Sequence, residues 1–281
     1  MRLRSLLFVP GNRPERFARA AASGADAVIL DLEDSVPPSA GDTARAAVAD
    51  YMAGPRRVPL LVRINPVTVQ ADLAAILPLR PDGVVLPKAE GARSVRTLLR
   101  LMGKTAVPIL PIATETPAGL FRLGTYGRVS RHLLGLTWGA EDLPAAIGAT
   151  TAREEDGRYT PPYEMVRSMA LFAAHAAGAP AIETVFPAIH DEAGLTAYVA
   201  RARRDGFCGM MALHPAQVPI INQGFTPGPD EIARARRILA AFAQNPGSGA
   251  LMLDGQMIDR PHLIQAQRTL EIEEVSHSIG P

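Results

Sequence analysis

Polar residues gather directly behind the apolar runs of this sequence. Asp31, Glu33 and Asp34 follow AVIL, and Arg63 and Asn65 close PLLVRIN. Lys88 and Glu90 follow GVVLP, and Thr114, Glu115 and Thr116 follow PILPIA. Glu141 and Asp142 follow HLLGLTWGA, Glu183 lies in AIETVF, and His214 follows GMMAL. A charge placed against an apolar run is costly unless it is paired or bound to a metal. Selection for stability alone would scatter such charges over both ends of the runs. Glu115 and Asp142, from neighbouring runs, suit a hard cation, because Mg²⁺ takes one or two carboxylates and completes its shell with water and substrate oxygens. His132, His175, His190, His262 and His277 lack zinc-ligand spacing. Arg63 presents a fork that matches a carboxylate, either a substrate's or one of the Asp31–Asp34 group. Lys88 is the one strand-end lysine, which leaves a Schiff-base mechanism as an alternative; an ion pair with Glu90 is its plainer reading. Asp31, Glu33 and Asp34 cap a loop or stand behind the site. His214 precedes Pro215 and reads equally well as structural. Cys208 has no activating neighbours and reads as inert core.

These residues need elements that bring them to one place. The runs SLLFVP (5–10), AVILDLE (27–33), PLLVRIN (59–65), GVVLPKA (83–89), PILPIATE (108–115), HLLGLTWG (132–139), AIETVF (181–186) and GMMALHP (209–215) read as parallel strands buried on both faces. Between them lie amphipathic stretches such as TARAAVADYM and YEMVRSMALFAAHAAG, several ending in Gly. Alternating strands and helices imply right-handed crossovers and a parallel sheet, and eight such units favour a (β/α)₈ barrel. An open doubly wound sheet would want a Gly-rich dinucleotide turn after the first strand, and PGNRPER is not one. The barrel is expected over residues 1–228. A helical arm, 229–281, begins with PDEIARARRILAAFAQN, passes through a Gly- and Pro-rich link and ends in a last helix to about Glu274. In such a barrel the chemistry sits at the C-terminal ends of the strands, where the polar residues above fall.

Composition agrees. The 281 residues match the roughly 250 of a single α/β barrel, and 47% hydrophobic content allows a large core. A net charge of +1 gives no sign of a nucleic-acid or polybasic membrane surface. One cysteine excludes an intrachain disulfide and fits a cytoplasmic setting. The run SLLFVP is too short for a signal peptide and is followed at once by charge. No stretch approaches the roughly 20 apolar residues of a membrane span.

The stretches LLFVPGNRPERF, GADAVILDLEDSV, VRIN, VVLPKAE, PIATETPAG, GAEDL, LHPAQV and LDGQMIDRPHL occur in that order. Together they resemble the citrate lyase β subunit and its relatives in the HpcH/HpaI aldolase superfamily, over nearly the whole chain. The resemblance implies a (β/α)₈ barrel forming homotrimers or hexamers, with Mg²⁺ or Mn²⁺ held by Glu115 and Asp142. It implies that Arg63 holds the substrate carboxylate, and that Asp259 is an acid/base delivered to a neighbouring subunit. Phe8, Arg16, His214 and Pro215 would line the thioester carrier. The substrates implied are 3-hydroxy acyl thioesters on coenzyme A or an acyl-carrier protein, made from or cleaved to a 2-oxo acid. Two features depart from the family pattern: PPSAGDTAR lacks a common lysine, and AIETVF has Glu183 where relatives often have Asp.

The chemistry then expected is a lyase reaction. The metal would act as a Lewis acid on the 2-oxo acid oxygens. Backbone N–H groups near Gly139 and Ala140 would add hydrogen bonds to the same carboxylate. Asp259 would move the proton at the thioester enolate carbon; its structural reading is a helix-initiating Asp before Arg260-Pro261. A malyl-CoA-type thioesterase or synthase is a second enzymatic reading. A non-catalytic, metabolite-binding subunit is a third.

Overall fold

Alternation along each buried strand decides which side chains reach the interior of the molecule. The computed structural model describes residues 1–277. The chain divides into two units, residues 3–222 and residues 223 onward, a few residues before the break expected at 228/229.

The first unit carries β1 (Ser5–Pro10), β2 (Ala27–Asp31), β3 (Leu60–Arg63), β4 (Gly83–Leu86), β5 (Ile109–Pro111), β6 (Leu136–Thr137), β7 (Ala181–Glu183) and β8 (Gly209–Ala212). All pair in parallel, in the order β5-β4-β3-β2-β1-β8-β7-β6. Parallel bridges Ile109↔Leu133 and Ile112↔Thr137 join β5 to β6, with Leu134 N–H on the Ile109 carbonyl at 2.8 Å and Ala113 N–H on the Thr137 carbonyl at 2.9 Å. The sheet is thus a closed eight-stranded (β/α)₈ barrel. Each strand lies inside one of the apolar runs, and all but β1, which spans its whole run, are shorter than the run.

Leu6, Ala27, Ile29, Leu61, Val85, Leu110, Ile112, Ile182 and Met211 form one buried cluster filling the lumen. The period of two puts Phe8, Asp31 and Arg63 on the same inward face, one step above Leu6, Ile29 and Leu61. Register sets Asp31 opposite Arg63, and Phe8 opposite Ile29 one step below. By the same count Glu183 follows the inward Ile182 and points outward.

The helices are α1 (Phe17–Ala21), α2 (Gly41–Ala53), α3 (Val69–Ile76), α4 (Ala92–Met102), α5 (Pro117–Leu120), α6 (Asp142–Ile147), α7 (Pro161–Ala176), α8 (Glu192–Asp205) and α9 (Gln217–Gly224). In α4, Ala92, Val95, Leu98 and Met102 are buried at the three- and four-residue spacing of one helix face. Thr116 caps α5 by accepting the Gly119 N–H at 3.0 Å, and Pro117 occupies the first helical position. This stop-and-start holds the segment after β5 in place.

The second unit holds α10 (Pro229–Gln244), α11 (Arg260–His277) and an unanticipated antiparallel hairpin, β9 (Ala250–Leu253) and β10 (Gln256–Asp259). Its two-residue tip, Asp254-Gly255, has φ of 50° and 74°. Positive φ at both positions matches the turn twist that tight hairpins favour. Ala235, Ile238, Ile258 and Ala266 are the buried centre of this unit. No helix among the described residues is long and apolar enough to cross a membrane.

Candidate metal and active site

At the top of β2, Asp31 is buried and accepts from Arg63 Nε at 2.6 Å and Nη2 at 2.7 Å. It also accepts from the Glu33 N–H, the Ser35 N–H and the Ser35 hydroxyl. Burial pushes this carboxyl's pKa up, but the Arg63 fork and these donors outweigh burial and hold it below the usual value. Arg63 also lies with Nη1 3.1 Å from Glu33 Oε2 and 3.5 Å from Asp34 Oδ2. Its guanidinium carbon stands 4.8 Å from the centre of the Phe8 ring. Of the two readings of Arg63 made from sequence, the pairing with the Asp31–Asp34 group is the one seen, and the same guanidinium stands at the barrel mouth.

Lys88 follows β4 with a left-handed backbone, φ 50°. Its Nζ is 2.5 Å from Glu33 Oε1, 3.4 Å from Asp34 Oδ1 and 3.5 Å from Asp142 Oδ1. The partner is not Glu90, as its plainer reading had it. Glu90 pairs instead with Arg122 and accepts the Thr116 hydroxyl. Burial disfavours the ammonium, yet Glu33, Glu115 and Asp142 outweigh that and raise its pKa. A Schiff-base role needs a free amine, so these carboxylates oppose it.

Glu115 is 4% exposed. Among the described residues its one hydrogen-bond donor is the Lys88 backbone N–H, 2.5 Å from Oε2. Burial, with the nearby Asp142 charge adding to it, pushes its pKa up to about 8. Room for this side chain comes from Gly139, where a Cβ would lie 2.6 Å from Glu115 Cγ. The Gly139 N–H is donated to Thr114 Oγ1 at 3.1 Å, and the Thr114 hydroxyl in turn to the Gly139 carbonyl. Gly139 thus serves by lacking a side chain, and Ala140, also fully buried, is left as the backbone donor of that pair. Asp142 is the first residue of α6, with its side chain 35% exposed, while the preceding Glu141 is exposed.

Phe8, Arg63, Lys88, Glu115, Gly139 and Asp142 are therefore drawn together at the C-terminal end of the barrel. Of the residues assigned to the carrier, Phe8 lies in β1 and Arg16 after it, while His214 and Pro215 follow β8, which pairs with β1. Arg16 ends a short 3-10 turn and is exposed. His214 Nδ1 accepts the Ala216 N–H, and Gln217 Oε1 fastens the Leu213 and His214 N–H groups. Glu183 lies apart, fully buried behind the barrel wall, and accepts from Trp138 Nε1 at 2.5 Å and Arg167 Nε at 2.7 Å. Asp259 belongs to the second unit, at the junction of β10 and α11, with Oδ1 2.6 Å from His262 Nδ1. Lys88's reach to both carboxylates was not foreseen. Its left-handed turn has no signature in sequence.

Among the described residues no three His, Cys, Asp or Glu side chains converge as a metal cage. The set nevertheless suits a hard cation that keeps open positions. Glu115 is a buried carboxylate with a single donor, seated in a cradle that a Cβ at Gly139 would fill, beside a half-exposed aspartate.

Residues 4–215 match the model of the HpcH/HpaI aldolase/citrate lyase family. The chain belongs to that family. A citrate lyase subunit β-like protein of Mycobacterium tuberculosis is 37% identical over 94% of this chain and 93% of its own. A (3S)-malyl-CoA thioesterase of Cereibacter sphaeroides is 32% identical over 95% of this chain and 93% of its own. The crystal structure of the M. tuberculosis protein CitE, in complex with magnesium, acetoacetate and coenzyme A, has a TM-score of 0.81 at 37% identity. That match covers 95% of this chain and 97% of that one. The proteins similar to this chain thus include some named for citrate lyase and some named as thioesterases.

Proposed function

We propose that the protein is a Mg²⁺-dependent lyase that cleaves, or forms, a 3-hydroxy acyl thioester, yielding an acyl thioester and a 2-oxo acid. The observation that carries this reading is Glu115 and Asp142 standing side by side with Arg63 and Lys88 at the barrel mouth. Magnesium and coenzyme A in the CitE complex support the cofactor and the carrier class.

Glu115 and Asp142 would hold the cation, which when bound polarises the oxygens of the 2-oxo acid. Arg63 orients the acid's carboxylate. Its Nε and Nη2 are committed to Asp31, which keeps the guanidinium plane fixed, so a substrate carboxylate would meet Nη1 in place of Glu33 Oε2, which now lies 3.1 Å from it. The Ala140 N–H adds a donor on the same side. Cleavage gives up the proton of the C3 hydroxyl, breaks the C2–C3 bond and places a proton on C2. We assign that last proton to Asp259, supplied by a neighbouring copy in a homotrimer or hexamer. Phe8, Arg16, His214 and Pro215 line the carrier's path along β1 and β8.

A screen of citryl-, malyl- and citramalyl-type thioesters with Mg²⁺ tests this. The lyase reading requires release of a 2-oxo acid without free thiol. Its failure is a panel from which no 2-oxo acid appears. Hydrolysis, which the C. sphaeroides relative favours as the second reading, gives free thiol without a 2-oxo acid.

A further inference from the structure

Five carboxylates, those of Asp31, Glu33, Asp34, Glu115 and Asp142, share the barrel mouth with the two cations Arg63 and Lys88. As they stand, no three of these side chains converge as a cage among the described residues, and ion pairs with the two cations hold them in place. Arg63 removes Asp31 by a two-point contact. The other surplus carboxylates, Glu33 and Asp34, meet the ammonium of Lys88 at 2.5 and 3.4 Å. Glu33 Oε2 makes no hydrogen bond and stays 3.1 Å from Arg63 Nη1, so loss of the Lys88 ammonium frees the other oxygen, Oε1, to serve another cation.

Lys88 also touches both members of the metal pair. Its N–H donates to Glu115 Oε2, and its Nζ lies 3.5 Å from Asp142 Oδ1. One residue reaches both because its backbone is left-handed, a conformation that a side chain with a Cβ seldom adopts. Such a turn persists only where the surroundings impose it.

Resting on the reading of Glu115 and Asp142 as the metal pair, we infer that Lys88 is a positioning residue that limits the cation's protein ligands to those two carboxylates, and so selects Mg²⁺ over Ca²⁺. Mg²⁺ is small and keeps several waters around one or two carboxylates, whereas Ca²⁺ gathers six to eight oxygens at longer distances. With Glu33 and Asp34 held back, open positions remain for the substrate's oxygens. With them released, the site becomes a richer oxygen cage that favours the larger ion.

The test measures Mn²⁺ binding by EPR on the full chain, with Mg²⁺ and Ca²⁺ as competitors, and does not depend on turnover. Lys88→Met removes the ammonium at similar length. Lys88→Gly removes it while accepting the left-handed backbone and keeping the N–H on Glu115, which guards against a variant that fails to fold. In both, Ca²⁺ should gain on Mg²⁺ by about tenfold or more. Lys88→Arg should keep the wild-type ratio. An unchanged ratio in Lys88→Met and Lys88→Gly overturns the inference while leaving the metal pair standing. Wild-type Mn²⁺ binding by Glu115→Gln instead overturns the metal pair, and this inference with it.

Discussion

Glu115 is the residue on which the proposed chemistry turns, and its pH behaviour follows from burial. Its carboxyl moves from an ordinary 4.5 to about 8 in the folded, metal-free chain. The folded state therefore holds a proton that the unfolded state has lost between those values, and stability falls as pH rises through that window. Glu33, pushed up chiefly by burial, acts in the same direction. Asp31 acts oppositely: its lowered pKa gives stability present above the ordinary carboxylate range and lost on acidification. The melting temperature of the metal-free protein should thus decline from pH 5 to about 8, and Glu115→Gln should flatten that decline. A cation needs the ionised carboxylate, so Mg²⁺ should bind more tightly as pH rises across the same interval. Gly139→Ala puts a Cβ 2.6 Å from Glu115 Cγ. It should weaken Mg²⁺ binding by about tenfold or more, with the circular dichroism of the fold retained. Glu115 and Asp142 were legible as strand-end carboxylates because a charge behind an apolar run stands out. The backbone turn at Lys88 was not, since it depends on which loop lies across the mouth, whereas the pairing of Arg63 with the Asp31–Asp34 group stood among its two readings.

At the scale of elements, strand position separates the site from the wall. All eight barrel strands were readable because strands buried on both faces are written as short apolar runs. Their ends were not. PILPIATE continues as one run through Glu115, yet β5 stops at Pro111 and leaves Thr114 and Glu115 free to turn into the mouth. Alternation would also have told Glu183 from its neighbours, as Ile182 fills the lumen and Glu183 must face α7, where Arg167 meets it. Breaking that buried pair by Arg167→Met should cost about 3–5 kcal/mol of stability in denaturant titrations. It should leave Mg²⁺ affinity unchanged, and a loss of Mg²⁺ binding in a folded variant would return Glu183 to the site. The hairpin β9–β10 was missed for the opposite reason. Met252 and Met257 face each other across it and are 68% and 61% exposed, so no buried alternation marks it. Asp254-Gly255 was the available turn signal.

For the whole molecule, the proposed chemistry is divided between the barrel of one copy and the second unit of another. If Asp259 reaches the site of a neighbouring copy, Glu115→Gln and Asp259→Asn subunits are each inactive alone but complementary when co-assembled. Equal mixing after dissociation should restore about one quarter of wild-type turnover, because one barrel–arm pairing in four is intact in a head-to-tail ring. No recovery from assemblies shown to be mixed would place Asp259 elsewhere. The division leaves the metal pair as the central claim, since Arg63, Lys88, Gly139 and Asp259 all draw their meaning from it. Anomalous diffraction from crystals soaked in Mn²⁺ tests it most directly. The account predicts a peak bound by the carboxylates of Glu115 and Asp142; a peak coordinated by other side chains, or none at saturating Mn²⁺, would contradict it.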